Sequence, residues 1–99
     1  MARVWYIGDE ATAAGYRLAG AETRVPTADE TPDVFRRAIA DGADLILLSA
    51  ERAGDLESAE LSAALAAVHP LTAVVPDAYG RHAPPDVERE VRLALGIEP

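Results

Sequence analysis

At 99 residues, with seventeen acidic side chains against nine basic ones, the chain is one small domain (residues 1–99) with a formal charge of −8. That balance argues against nucleic acid, whose phosphates reward a basic surface, and against adsorption on anionic lipid. The absence of cysteine excludes disulfides, iron–sulfur clusters and thiol chemistry, and no apolar run approaches the roughly 20 residues that span a bilayer. The chain runs straight into an apolar segment without a basic region and signal-like stretch, which leads us to expect a soluble, cytoplasmic domain.

Residues 3–7 form the first predicted strand, centred on Val4-Trp5-Tyr6-Ile7. Gly8 turns the chain, and a helix begins near Asp9, whose carboxylate can accept from an early backbone N–H. Asp9 and Glu10 also place negative charge at the positive end of the helix dipole. Gly15 falls inside this helix, where it costs roughly 1 kcal/mol relative to Ala, so the expectation is that a bare face is needed there for close packing. Gly20 ends the helix in the manner common for glycine.

Residues 21–25 make a more polar strand closed by Pro26, suited to a sheet edge. Thr31-Pro32 opens the second helix as cap and first residue, with Val34, Phe35, Ala38 and Ile39 on its inward face and Gly42 as its stop. Leu45-Ile46-Leu47-Leu48 is a continuous apolar run within residues 44–49, as expected of a parallel strand covered on both faces. Residues 57–68 are Ala-rich and helical, with Leu61, Ala64, Leu65 and Val68 inward. Residues 71–75 are the fourth strand. The last predicted helix, residues 84–95, turns Val87, Val91, Ala94 and Leu95 inward. Alternating strands and helices predict a three-layer α/β domain with a parallel four-stranded sheet in the order 2-1-3-4, receiver- or flavodoxin-like.

In such a sheet, ligands favour the carboxyl ends of the strands. A receiver domain of the response-regulator type needs an acidic pair after strand one, an aspartate after strand three and a later lysine. Asp9 and Glu10 supply the pair, but Ser49 stands at the phosphoacceptor position and all nine basic residues are arginine. Gly8 is followed by Asp9-Glu10, so the dinucleotide fingerprint fails, and there is no Walker loop. Asp9, Glu10, Glu51 and Asp77 could converge on a divalent cation; helix caps and solvated turns account for them more simply. His69 and His82 read as surface residues, and Ser49 as a strand end closed by a hydroxyl-to-backbone bond. No catalytic set, metal site or cofactor site emerges.

The opening from Ile7-Gly8-Asp9-Glu10 to Gly15-Tyr16-Arg17-Leu18-Ala19-Gly20 resembles the start of the F subunit of the V-type/A-type rotary ATPases. The likeness continues through the acidic second helix at residues 31–41 and the buried strand at 44–49. It then takes in His69-Pro70-Leu71-Thr72-Ala73-Val74-Val75-Pro76 and a final helix ending in Gly96-Ile97. The resemblance implies a non-catalytic rotor subunit of the central stalk that couples ATP hydrolysis or synthesis to proton or sodium transport. It would be peripheral to the membrane, bound to the D subunit that forms the coiled-coil shaft and to other members of the complex. On the last predicted helix, Leu93 points away from the inward stripe between Arg89 and Arg92, and Ile97 extends the strip. The resemblance implies that these four residues are the partner-binding patch. The alternative is a stand-alone receiver-like signalling or ligand-binding domain without phosphotransfer.

Overall fold

The computed structural model describes residues 2–76. In chain order the elements are β1 (Val4–Ile7), α1 (Glu10–Leu18), β2 (Glu22–Arg24), α2 (Thr31–Ala40), β3 (Leu45–Ser49), α3 (Ala50–Ala53), α4 (Ser58–Ala66) and β4 (Leu71–Val75). The four strands form one all-parallel sheet in the order β2-β1-β3-β4, as the alternation of elements predicted.

Strand alternation divides the apolar residues between two layers. Trp5 and Ile7 pair in register with Ile46 and Leu48, and these four share one face with Phe35 and Ala38 of α2. Leu61 and Ala64 of α4 and Val74 of β4 pack against the same cluster. Tyr6 points to the other face, where its ring stacks on Tyr16 of α1 at 4.8 Å between centroids. The sheet is therefore sandwiched, with α1 on one side and α2 and α4 on the other. Trp5, Tyr6 and Ile7 are almost fully buried, so β1 is the axis of the fold.

Both longer helices before β3 stop by the same device. After α1, Gly20 takes φ +100° while Ala21 N–H donates to Tyr16 O and Gly20 N–H to Arg17 O. After α2, Gly42 takes φ +84° while Ala43 N–H donates to Ala38 O and Gly42 N–H to Ile39 O. This pair of reversed hydrogen bonds satisfies the last carbonyls and needs a left-handed residue, which glycine adopts without a Cβ clash.

Several side chains sit elsewhere than their spacing suggested. Gly15 is exposed, and a Cβ built on it meets nothing within 4 Å, so the expected close packing is absent. Thr31 is the first residue of α2, not its cap; Glu30 holds that position, and its carboxylate reaches back to accept from Thr27 N–H at 2.9 Å. Ile39, Leu65 and Val68 are 43 %, 47 % and 88 % exposed. Only the Val34–Phe35–Ala38 side of α2 reaches the sheet. Ala67 leaves the helical conformation after α4, so Val68 loses the phase that would have turned it inward. The single turn α3, capped by Ser49, is too short to show a periodicity in the sequence.

Candidate functional site

The carboxyl ends of β1 and β3 flank the point where strand order reverses, the usual ligand position of a doubly wound sheet. Here that space is filled from within. The Tyr6 side chain rises along the α1 face, and its hydroxyl donates to Asp9 Oδ1 at 3.0 Å. Gly8 crosses directly over it: a Cβ at position 8 would collide with the Tyr6 hydroxyl and crowd Ser49 Cβ. Glycine is required here because the backbone lies against an aromatic ring's polar end.

Asp9 is committed on both oxygens. Its Oδ2 accepts from Thr12 N–H at 2.9 Å as the α1 cap, while Oδ1 takes the Tyr6 hydroxyl. Burial alone would raise the Asp9 pKa, but the hydrogen bonds from Thr12 and Tyr6 favour the anion more strongly and hold it below the ordinary carboxylate value. The Tyr6 phenol moves the opposite way, pushed well above its usual value by burial and then by the hydrogen bond to Asp9. A proton-donating phenol clamped to a carboxylate is a structural pair at neutral pH. Ser49 is equally committed: it is buried, and its Oγ accepts from Arg52 N–H at 3.1 Å as the cap of α3. The hydroxyl-to-backbone bond expected of it is present.

A second cluster ties the neighbouring loops together. The Arg52 guanidinium donates to Pro26 O at 3.1 Å and meets Asp55 Oδ2 at 3.1 Å through Nε. Thr31 Oγ1 lies 2.9 Å from both Asp55 Oδ2 and Thr27 O, so its single hydrogen serves one acceptor at a time. Arg52 and Asp55 are each 14 % exposed, which makes the pair a partly desolvated clasp across the loop after β2, the start of α2 and the α3–α4 link. Sequence reasoning passed over this clasp because its two halves, residues 26–31 and 52–55, are far apart in the chain and carry no motif.

Of the four carboxylates weighed as cation ligands, Asp9 is used as described and Asp77 lies outside the described residues. Among the described residues, no group of three His, Asp or Glu side chains is placed to hold a metal ion. His69 is at the opposite end of the sheet, where Nε2 stands 3.0 Å from Asp44 Oδ1 and both side chains are solvated. Asp44 also accepts from Arg3 N–H at 2.7 Å. That bond first, and His69 second, lower its pKa.

A groove lies open outside the sheet's first edge. It has a volume of about 340 Å3 and is lined by Arg24, Val25, Pro26, Glu30, Asp33 and Val34. Arg24 forms its upper lip, held by Glu22 Oε2 at 2.8 Å and laid over the Trp5 ring at 4.7 Å. Trp5 Nε1 is buried without a hydrogen-bond partner among the described residues. The polar second strand was legible as an edge, but its groove was not, because β2 and α2 approach each other only through the fold.

The predicted patch Arg89, Arg92, Leu93 and Ile97 lies outside the described residues, as do His82 and the inward stripe from Val87 to Leu95. No helix among the described residues is long and apolar enough to cross a membrane.

The chain finds no significant match among curated proteins. The family model described as ATP synthase (F/14-kDa) subunit matches residues 4–91, from the first residue of β1 to well past β4. With the expected strand order in place and the match extending over nearly all of its length, the chain belongs to the family of the ATP synthase (F/14-kDa) subunit.

Proposed function

We propose that the chain is a non-catalytic rotor subunit of the central stalk in a V-type/A-type ion-translocating ATPase. It binds the D subunit, the coiled-coil shaft, and stiffens the coupling between the nucleotide-hydrolysing head and the ion-carrying ring. The observation that carries this reading, beside family membership, is the filled crevice: Tyr6, Gly8, Asp9 and Ser49 occupy with their own hydrogen bonds and contacts the place where a related sheet would take a ligand. A rigid sheet whose crevice is built shut is suited to docking and to transmitting torque through its outer surfaces. The ATP sites belong to other subunits in this reading, and the domain works in the cytoplasm at the membrane-proximal stalk.

The partner patch in this reading is Arg89, Arg92, Leu93 and Ile97, an apolar centre with a basic rim. Affinity purification of the chain from its native source should bring the remaining ATPase subunits with it in fixed proportion. Arg89→Glu combined with Leu93→Asp should weaken capture of the shaft subunit while leaving the melting temperature of the free chain unchanged. Recovery of the chain alone, under conditions that keep the ATPase assembled, would overturn the proposal.

A further inference from the structure

We infer that the groove between the free edge of β2 and α2 is a second docking surface on the shaft. Its occupant is a helix that carries an apolar stripe with a carboxylate on one flank. This inference rests on the stalk reading above and deepens it, because it places a partner contact among residues 24–37, away from the carboxy-terminal patch.

The groove's own chemistry selects this occupant. Its floor is apolar, from Val25, Pro26 and Val34, and Val25 is 48 % exposed. It runs on into a neighbouring depression of about 200 Å3 that shares Arg24, Asp33 and Val34 and adds Arg37. An added β-strand is a poor candidate. β2 spans three residues with Glu22 and Arg24 exposed, and Pro26 just beyond it has no N–H, so few backbone partners are available. A helix laid side-on needs none: it anchors through apolar side chains spaced three or four residues apart.

Charge sets the orientation. The chain carries −8, yet two arginines line this strip. Of the two, Arg24 is engaged with Glu22, and the other described arginines are engaged too: Arg3 with Asp41 O, Arg17 with Glu10, Arg36 with Glu60, and Arg52 with Asp55. Arg37 is the exception, with no side-chain hydrogen bond or ion pair among the described residues. An exposed guanidinium beside an apolar floor matches a carboxylate flanking an apolar stripe. Glu30 and Asp33 on the same strip disfavour a uniformly acidic helix, because like charges would meet there. The carboxylate of the partner must therefore fall at the Arg37 end.

The test is a calorimetric titration of the full chain against its cognate shaft subunit, using Arg37→Glu and Val25→Asp as groove variants. Leu18→Asp on α1, across the sheet and 91 % exposed in the parent residue, is the control. Each groove variant should weaken binding at least tenfold and the control less than twofold. Hydroxyl-radical footprinting of the unmodified complex should show Val25 and Val34 losing reactivity, which decides the matter even if a variant folds poorly. Full affinity in both groove variants, or unchanged reactivity at Val25 and Val34, overturns the groove while leaving the shaft-binding reading intact. A parent chain that does not bind the shaft at all overturns both.

Discussion

The hydroxyl of Tyr6 donates to the carboxylate that caps α1, Asp9, across 3.0 Å, so the middle of the fold's central strand and the start of its first helix are a single bonded unit. Tyr6→Phe keeps the buried ring and removes only the hydroxyl, at an expected cost of about 1 kcal/mol. Asp9→Ala removes the cap as well, costing about 1–2 kcal/mol. Because the two groups share a bond, the double variant should cost less than the sum of the singles. Urea unfolding followed by circular dichroism measures all three; strict additivity would show that the contact contributes nothing.

The same carboxylate governs acid sensitivity. The Asp9 pKa is lowered in the folded state, as is that of Asp44, so the folded protein binds fewer protons than the unfolded chain in that range. Their stabilisation is therefore present above the unfolded value of about 3.9 and is lost as pH falls below it through the folded value. Unfolding curves between pH 7 and pH 2 should steepen in their loss below about pH 4. Asp9→Asn should be less stable than the parent at pH 7 and approach it near pH 2. A constant gap between the two proteins would assign the acid response to other groups.

Gly15 offers a gain. It lies in the body of α1 with open space where a Cβ would stand, so Gly15→Ala meets no neighbour and reduces the freedom of the unfolded chain. The expected increase in stability is about 0.5–1 kcal/mol. Even Gly15→Leu should fold and melt near the parent temperature. A large loss of stability in either variant would return Gly15 to the packed interior.

The loop clasp should be costly to break from one side. Arg52→Ala takes from Asp55 its cationic partner and from Pro26 O its guanidinium donor in a partly desolvated place, and we expect a loss of about 3 kcal/mol. Replacing Arg52 and Asp55 together by leucines should cost less than Arg52→Ala, since no unpaired charge remains. Chemical denaturation of the three proteins decides it; a loss under about 0.5 kcal/mol for Arg52→Ala would put the clasp among ordinary surface pairs.

Elements that depend on local chemistry were readable from the chain. The Leu45-Ile46-Leu47-Leu48 run is too short for a helix between such boundaries and looks like a covered parallel strand, and it is β3. Asp9, Gly20 and Gly42 mark helix ends by mechanisms that act within a few residues, and each acts as expected. Features that depend on distant partners were not readable. The closing of the crevice brings Gly8 against Ser49 of β3, which the sequence around Tyr6 does not announce, and nothing near Arg52 announces Pro26. Ile39 and Leu65 carried helical spacing, but each helix meets the sheet through a narrower stripe than spacing alone defines. Gly15 misled because an unfavourable residue invites a packing explanation, and a tolerated cost needs none.

The stacking of Arg24 on Trp5 gives the molecule an optical gauge of its own. Trp5 is the single tryptophan in the chain, so all indole emission comes from one ring, 2 % exposed and roofed by a guanidinium that also forms the groove's lip. Anything that lifts or presses Arg24 changes the electric field across that ring before it disturbs the core. Emission from the unlabelled protein therefore reads the state of the β2 edge directly, in a complex of any size whose other tryptophans have been replaced.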